Sequence, residues 1–178
     1  MRLISHNLNA TLKVRLLGFL KIPLMYFCRP RILHIDDESV TVVIPFKRKT
    51  KNHVGSMYIG ALTVGADLAG GYLAMHHVSK IEKKIKLIFK DFHADFLKRA
   101  EGDVHLICND GNKIRELVEE VSNSGERGNM SVLINAYVPT KFKDDPVAKF
   151  TLTLSIKYIK IEICLSCFLC FKFKKDIL

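Results

Sequence analysis

Acidic residues are missing from the sequence before Asp36, a stretch in which Arg2, Lys13, Arg15, Lys21, Arg29 and Arg31 stand unopposed. A second basic run, Lys47, Arg48, Lys49 and Lys51, adds to a formal net charge of +10. Such an excess points to anionic partners: nucleic acid, anionic lipid or phosphorylated cofactors. No nucleic-acid motif or set of stacking aromatics accompanies the basic segments, so nucleic acid is not the expected partner. Cysteine is too sparse, at five residues, for a disulfide scaffold. Cys28 and Cys108 sit in apolar surroundings suited to reduced, packed thiols, and a reducing cytoplasm is the expected location. Low-complexity tracts and internal repeats are also lacking. With 48% hydrophobic residues in 178, this is the composition of one soluble globular domain with appendages. A secretory leader is not expected, because Lys13, Arg15 and Lys21 interrupt the apolar stretch behind Arg2 and no small-residue cleavage pattern follows.

What is present is periodicity. Leu8, Leu12, Leu16 and Phe19 recur at helical spacing, which predicts an amphipathic helix over residues 8–21 that ends near Pro23. Its apolar side is expected to pack on the domain, with the basic side chains in solvent and a peripheral membrane contact as the alternative. Residues 31–35 and 39–46 are β-rich runs around an Asp36-Asp37 turn signal, a hairpin. Over residues 56–78 the one charge is Asp67. A buried helix suits this segment better than a bilayer span: its Gly and Ser positions make it weakly hydrophobic, and a mid-bilayer Asp costs about 2.5–3.5 kcal/mol.

Strict alternation marks the later strands. Met130, Val132, Ile134, Ala136 and Val138 share one face, as do Ala148, Phe150, Leu152, Leu154, Ile156 and Tyr158. Between residues 85 and 97 the apolar phase changes from Ile85, Leu87, Phe89 to Phe92, Ala94, Phe96, which predicts a bulged, curved strand. Residues 104–108 add another strand, and Ile114, Leu117, Val118 and Val121 mark a short helix after the Asp110-Gly111 turn. The order is helix, two strands, long apolar helix, two strands, short helix, two strands. Tight connections favour an antiparallel sheet that covers the apolar helix, so the fold class is α+β of the hotdog type. Residues 1–30 form an N-terminal helix and lead-in, 31–159 the hotdog domain, and 160–178 an apolar, cysteine-containing appendage.

The segment Asn52-His53-Val54-Gly55-Ser56-Met57-Tyr58-Ile59-Gly60 leads into the apolar helix, with Asp67 fifteen positions after Asn52. This arrangement resembles the PaaI-like hotdog thioesterases. The runs Phe96-Leu97-Lys98-Arg99-Ala100-Glu101-Gly102-Asp103 and Val147-Ala148-Lys149-Phe150-Thr151-Leu152-Thr153-Leu154-Ser155 are similar to the hotdog group known as domain of unknown function 4442. The resemblance implies a homodimer or dimer of dimers that takes acyl-coenzyme A or a related acyl thioester at the subunit interface, without a metal or other cofactor. It also implies catalytic roles for Asp67 and Asn52 and substrate contacts from His53, Gly55, Ser56, Tyr58 and Ile59.

Physical chemistry supports those roles. A helix start presents unpaired N–H groups and partial positive charge to a developing oxyanion, here from the amides near Tyr58 and Ile59. Asp67 could attack the carbonyl or activate water, Asn52 could orient it, and the run from Lys47 to Lys51 could meet coenzyme A phosphates. Many PaaI-like enzymes carry His-Gly-Gly where this chain has Tyr58-Ile59-Gly60, and that departure favours a second reading, a non-catalytic acyl- or lipid-binding module.

Other signals have plainer explanations. Asn52 and Gly55 also fit a simple turn, and His53 fits a packing or hydrogen-bonding role. His76 and His77 end the apolar helix, where cations suit its dipole, and as sequence neighbours they face different directions. Cys164, Cys167 and Cys170 lack the fourth cysteine and the proline of an iron–sulfur pattern and stand among Leu165, Phe168, Leu169 and Phe171, so no cluster is expected. The apolar run in the appendage is too short to span a bilayer but could lie on one or extend the last strand.

Overall fold

Period-two alternation marks the longer strand segments, and six strand segments pair into a single sheet. The computed structural model of the protein describes residues 2–81 and 85–159. The cysteine-containing appendage therefore lies outside the described residues. Strands β1 (Arg31–Ile35), β2 (Val40–Ile44), β3 (Ile85–Phe96), β4 (Val104–Cys108), β5 (Arg127–Tyr137) and β6 (Pro146–Tyr158) are arranged in the order β1-β2-β4-β5-β6-β3. Every pairing is antiparallel. The phase change in β3 is a register shift between Phe89 and Phe92 against β6. The Asp91 carboxylate accepts from the Thr153 amide at 2.9 Å beside that shift and satisfies a ladder donor there.

The long apolar segment is helix α3 (Ile59–Val78), enclosed on one side by the sheet. Its buried positions include Ala61, Leu62, Gly65, Ala66, Ala69 and Leu73. Small residues bring the helix axis close to the strands: a Cβ at Gly65 would stand 2.6 Å from Leu106 Cδ1 and 2.9 Å from Ile44 Cγ1, both on fully buried side chains. Helix α4 (Gly111–Ser124) buries Ile114, Leu117, Val118 and Val121, as its spacing predicts, and packs beside α3 and over β5 and β6. The architecture is a hotdog: a long helix wrapped by a curved antiparallel sheet. Cys28 and Cys108 are both buried thiols; burial pushes Cys28 up and Cys108 to about 11, which keeps them protonated.

The N-terminal segment adds to the sequence reading and corrects it. The first helix, α1 (Arg2–Leu20), ends near Pro23, and Pro23 then opens another, α2 (Pro23–Cys28), at whose first turn the missing proline N–H costs nothing. The predicted apolar stripe of α1 does not pack on the domain: Leu8, Leu12, Leu16 and Phe19 are 58% to 63% exposed. A different stripe, Asn7, Thr11 and Arg15, faces inward. Asn7 Nδ2 donates to the Leu33 carbonyl at 2.5 Å, and Thr11 Oγ1 accepts from the Ile32 amide at 2.9 Å. Thr11 Oγ1 also donates to the Ile32 carbonyl at 3.4 Å, and Arg15 Nε donates to Pro30 O at 3.5 Å. Helix α1 thus covers the edge of β1, whose outer backbone groups no strand among the described residues satisfies.

At its other end α3 is tied to the β1–β2 turn. His76 Nε2 lies 2.8 Å from Asp37 Oδ1, Lys80 joins the same carboxylate, and His77 Nε2 lies 3.0 Å from the Asp37 carbonyl. His77 is buried, and burial is the main cause that pulls its pKa below the ordinary value. Burial thus disfavours a cation at this end of the helix, where the ring lies against the Asp37 carbonyl.

Candidate functional site

A tight turn over residues 52–56 sets the start of α3. The Asn52 amide donates to the Ser56 carbonyl at 2.8 Å and the Gly55 amide to the Asn52 carbonyl at 3.2 Å. Both ends of the Asn52 side chain are engaged in the same turn: Oδ1 accepts from the Val54 and Ser56 amides at 3.1 and 3.0 Å, and Nδ2 donates to Ser56 Oγ at 3.0 Å. Gly55 has φ +78°, a conformation that side chains disfavour, while open space surrounds its Cα, so conformation alone selects glycine here. Arg99 Nη2 closes the turn by donating to the Val54 carbonyl at 2.5 Å.

The helix start itself is partly satisfied. The Tyr58 amide, one of the expected oxyanion donors, donates to the Thr50 carbonyl at 2.8 Å, and the Met57 amide to the Ala100 carbonyl at 2.7 Å. The Ala61 and Leu62 amides turn back to Tyr58 O. The amides of Ile59 and Gly60 have no backbone acceptor among the described residues. The Tyr58 ring lies against Gly60, where a Cβ would come within 2.7 Å of its Cε1. A cavity of about 500 Å³ opens in front of this turn. Asn52, His53, Ser56, Tyr58 and Ile59 line one side, and Phe96, Leu97 and Arg99 the other. His53, Tyr58 and Ile59 are exposed to it, whereas Ser56 is buried beneath. The wall from Phe96 to Arg99 was not identified as a site from sequence; its place at the end of the long curved strand was the available signal.

Asp67 is not in that cavity. Two turns further along α3, about 12 Å from the helix start along the axis, it lines a second groove of about 290 Å³ with Leu24, Thr63, Phe89, Phe92 and Leu152. Within one protomer, then, Asn52 and Asp67 do not face the same space. The Asp67 carboxylate has no hydrogen bond or ion pair with any described residue. Solvent reaches it from one side, yet the apolar mass around it raises its pKa above the ordinary carboxylate value.

The two basic clusters, far apart in sequence, meet in space. Arg15, Arg29, Arg31, Lys47, Arg48 and Lys49 line one groove of about 630 Å³, adjoining Thr50. Asp103 also lines it, with Oδ2 2.9 Å from Arg31 Nη2. Lys51 instead lies over the Phe46 ring, 4.2 Å from its centroid.

Solved structures with this architecture come from several bacteria. A Pseudomonas aeruginosa protein of unknown function, provisionally named a thioesterase, shares 24% identity over 84% of this chain and 96% of its own, with a TM-score of 0.68. A Chlorobaculum tepidum protein of unknown function shares 14% identity over 85% of this chain and 96% of its own, with a TM-score of 0.72. A Haemophilus influenzae thioesterase shares 11% identity over 84% and 92% of the two chains, with a TM-score of 0.60. At such identities the likeness is one of fold. Among curated proteins none matches the chain. The sequence model of the domain of unknown function DUF4442 matches residues 14–156, most of the chain, and the protein belongs to that family.

Proposed function

We propose that the protein hydrolyses acyl thioesters, of coenzyme A or a related carrier, at a site completed between two copies of the chain. The observation that carries this reading is Asp67, the one charge on an otherwise apolar helix, without a polar partner among the described residues and held in a groove that raises its basicity. The fold is shared with a Haemophilus influenzae protein named a thioesterase, which supports the same chemistry.

Two copies are invoked because the helix start and Asp67 occupy different grooves of one protomer. The edge strand β3 suits a second copy: it runs twelve residues, its outer edge is unpaired among the described residues, and Ile88, Phe92 and Phe96 are exposed on it. In this arrangement the thioester carbonyl oxygen points at the Ile59 and Gly60 amides of one copy, while Asp67 of the partner subunit removes a proton from water. The water oxygen bonds to the carbonyl carbon, negative charge collects on the carbonyl oxygen, and the C–S bond breaks as the carbonyl reforms. The thiolate leaves and is protonated. Asn52 acts as a positioning residue, since its side chain is spent on the turn that aims the helix start. The groove of Arg15, Arg29, Arg31, Lys47, Arg48 and Lys49 suits coenzyme A phosphates.

The engagement of the Tyr58 amide and of the whole Asn52 side chain favours one second reading, a module that holds acyl chains without turnover. A panel of acyl-coenzyme A esters of short to long chain, assayed on wild type and Asp67→Asn, separates the two. Hydrolysis lost in the variant, with its oligomeric mass unchanged, supports the enzyme. Retention of ligand with no turnover in wild type supports the binding module, and equal rates in both proteins reject the role of Asp67.

A further inference from the structure

The outward face of α1 is an exposed apolar surface with no counterpart in the proposed catalysis. Leu8, Leu12, Leu16, Phe19 and Leu20 are each more than half exposed. At about 100° per residue they occupy an arc of about 120° on the helix, opposite the Asn7 and Thr11 side that binds β1 and the buried Ala10 and Val14. The exposed Lys13 borders this arc, and the exposed Lys21 follows the helix end. No acidic residue occurs before Asp36. A broad apolar stripe bordered by cations, in a segment free of negative charge, is the pattern of a helix lying in a lipid–water interface.

We propose that α1 docks this protein on an anionic lipid surface, with Leu8, Leu12, Leu16, Phe19 and Leu20 entering the acyl boundary and Lys13 and Lys21 meeting lipid phosphates. Charge complementarity selects this occupant over a second copy, because a like copy would bring the same cations together. Position in the sheet agrees. Helix α1 covers β1 at one edge, whereas the strand best suited to a second copy, β3, is at the opposite edge. No helix among the described residues is long and apolar enough to cross a membrane, so the contact is one of surface docking. Docking at α1 leaves β3, at the opposite edge of the sheet, free and does not depend on hydrolytic activity.

The test is co-sedimentation of the full chain with vesicles of phosphatidylcholine alone and with phosphatidylserine added, at low and high salt. The expected result is binding to the anionic vesicles only, weakened by salt. Leu12→Glu/Leu16→Glu lowers the partition coefficient more than tenfold, and Lys13→Gln lowers it about fivefold. Phe19→Ser is a milder third variant, and all of them should keep the wild-type circular dichroism because the altered side chains are exposed. Absence of binding to anionic vesicles overturns the proposal. So does binding that the Leu12→Glu/Leu16→Glu variant leaves unchanged, or a fall in solution mass in that variant without vesicle binding, which assigns the stripe to a second copy.

Discussion

Two glycines on α3 should respond to the same substitution with opposite sign. Alanine is a better helix former than glycine by about 1 kcal/mol, so Gly→Ala on a helix stabilises wherever the new methyl has room. At Gly71 it has room: the added Cβ meets nothing nearer than Phe89 Cε2 at 3.6 Å, an ordinary contact. At Gly65 it would stand 2.6 Å from Leu106 Cδ1 and 2.9 Å from Ile44 Cγ1. Both neighbours are fully buried and cannot swing into solvent. Overpacking of that kind costs about 1–3 kcal/mol. The net expectation is a gain of up to about 1 kcal/mol for Gly71→Ala and a loss of up to about 2 kcal/mol for Gly65→Ala. In a chain of this size the two melting temperatures should then separate by about 4–10 °C. Urea denaturation at a fixed protein concentration, which holds any oligomer term constant, measures both. Equal effects at the two positions, or a stabilised Gly65→Ala, would refute the close seating of α3 on β2 and β4. That seating matters for function because the same helix carries Asp67 and the amides of Ile59 and Gly60.

Other outcomes follow from single contacts. Asp67 has a pKa raised by burial, so the folded protein holds that proton more tightly than the unfolded chain, and its contribution to stability is lost as pH rises through the folded value. Asp67→Asn should therefore melt above wild type at neutral pH, and the gap should close as pH falls to the unfolded carboxylate range; a wild-type advantage at neutral pH contradicts the burial argument. Asp37 behaves in the opposite sense: hydrogen bonds from Lys80 and His76 hold its pKa at about 2. Its contribution is present above the ordinary carboxylate value and lost as pH falls toward 2, so Asp37→Asn should flatten the acid limb of a melting-temperature profile recorded over that range. Thr11→Val removes the hydroxyl that serves the Ile32 amide and should destabilise by about 1–3 kcal/mol in urea titration. A neutral result there would mean that α1 does not cap the edge of β1.

Local periodicity by itself determined the α+β class, the order of the main elements, the bulge in β3 and the isolation of Asp67 on an apolar helix. Each of these rests on residues within a few positions of one another, where the spacing of apolar side chains reports directly on helix or strand. Leu8, Leu12, Leu16 and Phe19 show where that information ends. Their spacing correctly marks a helix, yet the face that meets the protein is Asn7, Thr11 and Arg15, because the order of the sheet leaves β1 with unpaired backbone groups that need polar partners. Pro23 likewise shows a break but not the new helix beyond it. Only the tertiary structure joins Arg15, Arg29 and Arg31 to Lys47, Arg48 and Lys49 in one groove, or separates Asn52 from Asp67 into two. Spacing along the chain states which side chains share a face. What that face is pressed against depends on strand order and on which edges are left open, and both come into being only when distant segments pair.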